Sequence, residues 1–399
     1  MEEMGPLKLY FIHFLAAGHM IPLCDIATLF ASRGHNVTII TTPSNAQVLR
    51  KSIPSHPLLR LHAVHFPSQE AGLPDGIENI SSVEDAENLA KMFHATAMLQ
   101  PPIEEFVEQH PPDCIVADFL FPWVDELANK LCIPRLAFNG FSLFTICAAW
   151  HLGPASLIGR SAQEKAERGQ KSVVSVEECL TWLDSKRVES VVYICFGSLC
   201  HFPDKQLQEI ACGIEASGHE FIWVVPEKKG KENERQEEKE KWLPKGFEEK
   251  EKGMIIRGWA PQLLILNHHA VGAFLTHCGW NSTVEAVTAG IPMLTWPVHG
   301  EQFYNEKLIT QVRGIGVEVG AAEWTSIGFG ERHKLVTRDS IQNAITRLMD
   351  AGDEATQIRR RAKEFAQKAR KAVKEGGSSH NNLTALIHDL KRLRDAKLL

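Results

Sequence analysis

The sequence lacks the features that mark several large classes of protein. Its 43 Lys and Arg residues against 49 Asp and Glu residues leave a net charge of only −6, so no strong positive field is present to hold nucleic acid. The apolar run 141–150 is too short to span a bilayer, and the acidic N-terminus lacks a basic signal region. The nine cysteines include no Cys-x-x-Cys pair, and several lie in apolar runs, as reduced core thiols do. These absences predict a soluble, cytoplasmic protein that does not bind nucleic acid.

Common catalytic motifs are also absent. The Gly-Lys pair at 230–231 is followed by glutamate within a run of charged residues, which excludes a phosphate-binding P-loop. The sequence contains no Gly-x-Ser-x-Gly and no His-Glu-x-x-His. It has no Asp-x-Asp either, the pair with which one class of sugar transferases holds a divalent ion. The close histidine pairs at 62 and 65 and at 268–269 lack Cys or carboxylate companions at ligand spacing. We therefore expect no metal and no cofactor.

Short apolar runs alternate with helical stretches, which is typical of parallel strands joined by crossover helices. The first series of strands is predicted at Leu7–Phe14, Asn36–Thr41, Leu61–Phe66, Asp113–Ala117 and Pro134–Phe138. The second series is predicted at Val191–Phe196, Phe221–Val225, Met254–Arg257, Val271–Thr276, Pro292–Trp296 and Ile315–Val319. The two series predict two Rossmann-like α/β domains, at 1–155 and 156–375. The composition of 153–171 is typical of a linker between them. A helix within 376–399 is expected to pack back on the first domain.

The most informative segment is 259–302, which begins WAPQ and ends HGEQ. Within it, a buried strand is predicted to end at His277, after which the chain turns into a helix. Ser282 and Glu285 have the spacing of a capping box, so the free N–H groups of the helix start would face an anion at the carboxyl edge of the sheet. Trp259 offers a flat face to a base. Taken singly, Trp259 could be a rim aromatic and Glu285 a capping carboxylate.

Together with its flanks, this segment resembles the signature of the plant secondary-product glycosyltransferases, the UDP-sugar-dependent enzymes of glycosyltransferase family 1. The flanking matches are 14–23 (FLAAGHMIPL), 196–198 (Phe-Gly-Ser) and 376–379 (Gly-Gly-Ser-Ser). The resemblance covers most of the chain. It implies the GT-B fold, in which two Rossmann-like domains face each other across a cleft, the C-terminal domain binding the donor and the N-terminal domain the acceptor.

The resemblance also implies a donor site with separate contacts for each part of a UDP-sugar. The residues for uracil and ribose would be Trp259, Gln262 and Glu285. Those for the diphosphate would be Ser198, His277, Asn281 and Ser282. Those for the sugar would be Trp280, Glu301 and Gln302, and Ala260 and Gly279 complete the site. Gln302 resembles the residue of glucose users in the family, whereas galactose users tend to carry His, so UDP-glucose is the expected donor.

A general base can be placed from the topology. If the first domain is wound in the order 3-2-1-4-5, strands 1 and 4 are neighbours and ligands bind over their carboxyl ends. His19 follows strand 1, ahead of a helix predicted from near Pro22 to Ser32, and Asp118 follows strand 4. The carboxylate would fix the imidazole tautomer and raise the basicity of its other nitrogen toward an acceptor hydroxyl. The alternatives are a solvated loop histidine and an aspartate that caps a helix.

These assignments imply metal-independent displacement with inversion, which converts an α-linked sugar into a β-glycoside. Aromatic residues after strands 4 and 5 are expected to wall the acceptor pocket, and they are Phe119, Phe121, Phe138 and Phe141. The resemblance favours the branch that acts on triterpenoid, steroid and flavonoid hydroxyls, with a saponin-pathway triterpenoid as first choice. We expect a monomer. A UDP-sugar-binding protein without transfer activity, and an enzyme that isomerises or hydrolyses its nucleotide sugar, stay open as alternatives.

The sequence departs from this family at one place. In the family the acceptor domain continues with further strands and helices after the apolar helix 141–150, whereas here Leu152 runs directly into Gly153-Pro154. The first domain is also much smaller than the second, although the halves of this fold should be comparable. We therefore expect a missing segment near 152/153, either an internal deletion or residues omitted from the sequence. Donor binding would survive, transfer would be weak, and an apolar patch near 138–150 would be exposed.

Overall fold

The computed structural model describes residues 5–152, 174–225, 242–324 and 334–397, apart from 54, 75, 84, 198–199, 201 and 249–251 within those ranges. The chain forms two compact units, Met1–Gly140 with Ala372–Leu399, and Phe141–Lys371. The predicted boundary at 155/156 lies outside the described residues. The helical segment that follows Phe141 belongs to the second unit.

The first unit contains a five-stranded parallel sheet. Its strands are β1 (Lys8–Ile12), β2 (Asn36–Thr41), β3 (Leu59–Ala63), β4 (Cys114–Asp118) and β5 (Arg135–Phe138). They lie in the order β3-β2-β1-β4-β5, so the predicted order 3-2-1-4-5 is confirmed. The accompanying helices are α1 (Ala17–Ser32), α2 (Pro43–Ser52), α3 (Ala86–Ala97), α4 (Gln100–Gln109) and α5 (Trp123–Lys130).

Helix α1 begins at Ala17, whereas the sequence predicted a start near Pro22. The prediction relied on the preference of proline for the first turn of a helix. Here Pro22 lies inside the helix instead, and the extended backbone of Ala16 marks the start. The earlier start places His19 in the first turn of α1, next to the end of β1.

The second unit contains a six-stranded parallel sheet in the order β11-β10-β9-β6-β7-β8. Its strands are β6 (Val191–Cys195), β7 (Glu220–Val225), β8 (Gly253–Arg257), β9 (Val271–Thr276), β10 (Met293–Thr295) and β11 (Gly316–Glu318). Its helices are α6 (Leu143–Leu152), α7 (Val176–Asp184), α8 (Asp204–Ser217), α9 (Gln262–Leu266), α10 (Trp280–Ala289), α11 (Gln302–Lys307), α12 (Arg338–Met349) and α13 (Asp353–Val373). One π-helical turn, Leu308–Val312, follows α11.

The second sheet is buried on both faces, which explains why its central strand is apolar throughout. Val192 and Ile194 of β6 belong to the core on one side of the sheet. The alternate residue Tyr193 belongs to the core on the other side. The final helix, α14 (Ser378–Lys397), belongs to the first unit, where its Ile387 and Leu390 join the core around β1.

Candidate active site

His19 and Asp118 meet at the carboxyl edge of the first sheet. His19 lies in the first turn of α1 and Asp118 is the last residue of β4. Since β1 and β4 pair in parallel, their carboxyl ends lie side by side. His19 Nδ1 lies 2.6 Å from Asp118 Oδ2, and the two residues are only 1% and 0% exposed. The structure therefore brings together the imidazole and carboxylate that the topology suggested.

The hydrogen bonds of Asp118 orient this histidine. Asp118 Oδ1 accepts the backbone N–H of Leu120 at 3.0 Å, while Oδ2 faces His19. Because an ionised carboxylate only accepts hydrogen bonds, the ring hydrogen of His19 lies on Nδ1 and the lone pair of Nε2 faces away from Asp118. The next helix, α5, begins at Trp123, so Asp118 does not cap it. His19 is buried, so it is not a solvated loop histidine either.

Aromatic rings surround the imidazole. The Phe14 ring meets His19 edge-on, with centroids 5.5 Å apart, and the Phe119 ring lies 6.4 Å away at an angle of 29°. Phe121 and Phe93 lie against Phe14 at 6.1 and 6.0 Å. Two predicted acceptor residues, Phe119 and Phe121, are thus placed near His19. Phe93 was missed because it lies far away in sequence, on α3, with no motif around it.

The other two predicted acceptor residues are placed differently. Phe138, the last residue of β5, is partly buried and packs against the hydrophobic core of the first unit. Phe141 is buried and belongs to the second unit. Beside it, Leu143 and Phe144 are 73% and 37% exposed.

His13 is a second buried histidine at the end of β1, and sequence motifs did not reveal it. Its Nδ1 donates to the carbonyl of Phe14 at 3.0 Å, so Nε2 accepts from the Thr41 hydroxyl at 2.9 Å. Burial lowers the pKa of His13 to about 4, although the Phe14 carbonyl opposes this shift. The neutral ring therefore links the ends of β1 and β2 next to the segment that carries His19.

The donor motif folds as a strand, a tight turn and a helix. β9 ends at Thr276, and α10 begins at Trp280 after the extended backbone of Gly279. The helix has no side-chain cap, so the capping box predicted at Ser282 and Glu285 is wrong. Both residues lie inside α10, because the turn is made earlier than the capping-box spacing suggests. The N–H groups of the first helical turn, which have no partner within the helix itself, thus belong to the segment just after His277.

Ser282 and Glu285 are instead held by a buried amide. The side-chain N–H₂ of Gln262, at the start of α9, donates to Ser282 Oγ at 2.8 Å and to Glu285 Oε2 at 2.9 Å. The Gln262 oxygen accepts the hydroxyl of Tyr193 from β6 at 3.1 Å. We call these four residues the Gln262 network. It joins three residues of the predicted donor site with Tyr193, which sequence motifs did not single out.

His277 lies fully buried at the end of β9. Burial lowers its pKa to about 3, with a smaller effect of the same sign from His299 and an opposing hydrogen bond to the backbone of Cys195. Gly197 has a φ of +74°, and a Cβ at this position would lie 2.9 Å from His277 Cε1 and Nε2. Position 197 therefore requires glycine both for its backbone conformation and for the space beside a neutral His277 ring.

The remaining predicted donor residues that the structure describes occupy the same carboxyl edge of the second unit or its loops. Trp259 follows β8 and is 8% exposed, so it is not a rim aromatic. Ala260 and Glu301 are buried, whereas Trp280 and Asn281, the first residues of α10, are partly buried. Ser198 lies outside the described residues.

Gln302 is fully buried at the start of α11. Its side-chain oxygen accepts the backbone N–H groups of Val298 and His299 at 2.9 and 3.1 Å. With both lone pairs of that oxygen engaged, only the N–H₂ group can serve a ligand, and one of its hydrogens faces His299 Nδ1 at 3.4 Å. Toward any ligand, Gln302 would therefore act as a hydrogen-bond donor.

No group of three or more His, Cys, Asp or Glu side chains in the described part of the chain is arranged to hold a metal ion. Among the helices of the described ranges, none combines the length and apolar character needed to cross a membrane. Transfer without metal stays a prediction.

Solved structures identify the fold class of this protein, and sequence relatives identify its family. In fold, the chain is similar to the crystal structure of Glycyrrhiza uralensis UGT73P12 complexed with glycyrrhetinic acid 3-O-monoglucuronide. The TM-score is 0.86, the identity 33%, and the match covers 98% of this chain and 97% of the other. With two parallel-sheet α/β units, the protein has the GT-B fold.

Sequence relatives then give the family. A family model described as UDP-glucoronosyl and UDP-glucosyl transferase matches residues 170–351. The chain is 43% identical to UDP-glucosyl transferase 73CC6 of Saponaria officinalis, over 99% of each protein. It is 40% identical to UDP-glucose flavonoid 3-O-glucosyltransferase 7 of Fragaria ananassa, over 97% of this chain and 96% of the relative. The chain belongs to glycosyltransferase family 1, the UDP-glycosyltransferases of plants.

The alignment with the Saponaria relative spans 486 positions, whereas this chain has 399 residues. The relative therefore carries residues that have no counterpart here, although both chains are covered almost from end to end. The predicted deletion near 152/153 falls at the start of residues 153–173, which lie outside the described part of the chain.

Proposed function

We propose that this protein transfers glucose from UDP-glucose to a hydroxyl group of a small lipophilic plant metabolite, with inversion at the sugar C1. The observation that carries the proposal is the buried contact of 2.6 Å between His19 Nδ1 and Asp118 Oδ2. A nucleotide-sugar-binding protein has no need for a base held in a single tautomer. A transferase needs one to remove the proton of the attacking hydroxyl.

In the proposed reaction, the acceptor oxygen attacks C1 of the α-linked glucose while its proton passes to His19 Nε2. Asp118 stabilises the imidazolium that forms, because its carboxylate already faces the protonated Nδ1. The bond from C1 to the UDP oxygen breaks, and negative charge develops on the diphosphate. The backbone N–H groups at the start of α10, together with Asn281, Ser282, His277 and Ser198, are proposed to stabilise that charge.

The remaining donor contacts follow the arrangement of the second unit. We propose that uracil stacks on Trp259 next to Ala260, and that Gln262 and Glu285 bind the ribose. Close backbone approach at Gly279 would admit the phosphates. Trp280, Glu301 and Gln302 would hold the glucose hydroxyls, and the glucosyltransferase names of the relatives support glucose as the sugar.

For the acceptor we propose a triterpenoid, with Phe119 and Phe121 beside His19 as part of its apolar wall. The complex of the Glycyrrhiza relative with a glycoside of glycyrrhetinic acid, a triterpenoid acid, supports this choice. A flavonoid is the second candidate, because the Fragaria relative is a flavonoid glucosyltransferase. Phe138 and Phe141 are retained as further proposed members of the wall.

A second function is a UDP-sugar-binding protein with little or no transfer. The specific observation that favours it is the set of residues present in the 486-position alignment but absent from this chain. We propose that these residues are missing near 152/153 and belong to the acceptor domain. The large exposure of Leu143, close to that place, supports the loss of a covering segment. The expected monomeric state and cytoplasmic location also stay proposals.

The test is transfer of radiolabelled glucose to a panel of triterpenoid and flavonoid aglycones, with wild type and His19→Ala compared. Loss of the general base should lower the rate about 10²- to 10⁴-fold while the Kd for UDP measured by calorimetry stays within twofold. His65→Ala is the control, because this histidine side chain is 81% exposed. Wild-type turnover in His19→Ala would refute the mechanism. UDP binding without transfer to any aglycone would support the second function, and release of free glucose would indicate hydrolysis.

A further inference from the structure

Tyr193 is the one member of the Gln262 network to which the proposed function gives no part. It lies in the middle of β6, fully buried in the same core cluster as Val191 and Cys195. Its ring stacks on Phe274 of the adjacent strand β9, with centroids 5.0 Å apart and planes at 21°. This packing fixes the direction of the phenol. A buried hydroxyl needs a hydrogen-bond partner, and the partner here is Gln262.

The bond to Tyr193 determines which way the Gln262 amide points. Gln262 is 4% exposed, so water does not compete freely for its groups. With the amide oxygen on the Tyr193 hydroxyl, both amide hydrogens are directed to Ser282 Oγ and Glu285 Oε2. A flipped amide would place its oxygen against the Glu285 carboxylate, where two acceptors repel each other. The phenol thus stabilises the orientation in which Gln262 serves α10.

The orientation of the Gln262 amide also determines how Ser282 and Glu285 are oriented. Ser282 and Glu285 lie three residues apart and therefore on the same face of α10. Because Ser282 Oγ accepts from Gln262, its own hydrogen is directed elsewhere, toward a group that accepts. Glu285 keeps one oxygen on Gln262, which limits the rotation of its carboxylate. Both side chains are thereby preorganised before a nucleotide arrives.

We propose that Tyr193 is a positioning residue for nucleotide binding, which acts through Gln262 on Ser282 and Glu285. This inference rests on the proposed function, in which those three residues bind UDP. Tyr193 itself does not touch the donor in this scheme. Its effect is on ground-state binding of the nucleotide and not on the chemical step.

The experiment measures the Kd for UDP by calorimetry for Tyr193→Phe, with Tyr10→Phe as matched control. Tyr10 is also a buried tyrosine, but its hydroxyl donates to the His110 carbonyl at 2.7 Å in the first unit. Tyr193→Phe should raise the Kd about three- to tenfold, the effect of one lost hydrogen bond, whereas Tyr10→Phe should leave it unchanged. In turnover assays the KM for UDP-glucose should rise by the same factor with kcat within twofold. A wild-type Kd for Tyr193→Phe overturns the inference.

A double-mutant cycle separates positioning from a general loss of structure. Gln262→Ala should itself weaken UDP binding, and adding Tyr193→Phe to it should cause no further loss, because Tyr193 acts through the amide. If the two substitutions raise the Kd for UDP independently, so that the double variant shows the product of the two single effects, Tyr193 does not act through Gln262. If Gln262→Ala binds UDP like wild type, the donor site of the proposed function is wrong. If Gln262→Ala is weak but Tyr193→Phe is normal, only the role of Tyr193 is wrong.

Discussion

His19 and Gln302 are single residues whose hydrogen bonds within the protein limit what each can do for a ligand. His19 uses Nδ1 for Asp118, which leaves Nε2 as the nitrogen that can take a proton. Gln302 uses its side-chain oxygen for the backbone of Val298 and His299 and one amide hydrogen for His299 Nδ1, which leaves one N–H for a ligand. Both side chains contain a hydrogen-bond donor and an acceptor, and in each of them only one of the two is left for a ligand.

Gln302→His should change the choice between glucose and galactose. The substitution removes the N–H₂ donor, so a sugar hydroxyl that relied on it loses one hydrogen bond. We expect the ratio of glucose to galactose transfer to shift by about three- to tenfold. Competition between UDP-glucose and UDP-galactose checks this ratio. The Kd for UDP is the control and should stay unchanged, since UDP carries no sugar, and an unaltered transfer ratio would show that other residues select the sugar.

At the scale of elements, the turn between β9 and α10 is held by helix α11. Cys278 has a φ of +65°, a conformation that costs energy for a residue with a Cβ. The fully buried Asn305 of α11 donates from Nδ2 to the Cys278 carbonyl at 2.9 Å. Its oxygen accepts the hydroxyls of Ser142 and Thr145 at 2.9 and 3.0 Å. One amide thus joins the donor turn, α11 and the start of α6.

Asn305→Ala should destabilise the second unit by about 2–4 kcal/mol, because it removes the partner of the buried Cys278 carbonyl and leaves the Ser142 and Thr145 hydroxyls, 2.7 Å apart, with only each other to bond. Urea unfolding followed by tryptophan fluorescence measures the free energy of unfolding. The double variant Ser142→Ala, Thr145→Val keeps the bond to Cys278 and should lose less. Equal losses for the two variants would show that the Cys278 bond contributes nothing.

At the scale of the whole molecule, each unit contains a buried neutral histidine, and the two make stability depend on pH. Burial lowers the pKa of His13 to about 4 and that of His277 to about 3. In the unfolded chain both titrate near 6.5. At a pH between the folded pKa and 6.5, the unfolded chain binds a proton on each histidine that the folded chain does not bind. Their contribution to the free energy of unfolding is therefore greatest above pH 6.5 and falls on acidification, by about 2 kcal/mol per histidine at pH 5.

Comparison of unfolding at pH 7.5 and pH 5.0 tests this dependence. His13→Gln removes one titrating ring, so its loss on acidification should be smaller than that of wild type by about 2 kcal/mol. The exposed His65 provides the control. In His65→Gln, the free energy of unfolding should fall between pH 7.5 and pH 5.0 by as much as it does in wild type. Identical pH dependence in His13→Gln and wild type would mean that His13 is protonated in the folded chain.

Much of the architecture was determined by local sequence. Apolar runs such as Val191–Cys195 predict buried parallel strands, and two series of them predict two α/β units. The juxtaposition of His19 and Asp118 also follows, because the carboxyl ends of neighbouring parallel strands meet at one edge. Ends of elements were less predictable, as the early start of α1 shows.

Tertiary structure alone decided how the donor turn is held. Ser282 and Glu285 have the spacing of a capping box, yet their partner is Gln262, 20 and 23 residues away, and not the helix start. Tyr193 lies 69 residues from Gln262, and no local pattern relates the two. A capping box depends on neighbours within one turn, whereas a buried amide is satisfied by whichever strands and helices the fold brings to it. For that reason the sequence by itself determined which strands end at the site, while the packing of β6, α9 and α10 decided which side chains hold one another there.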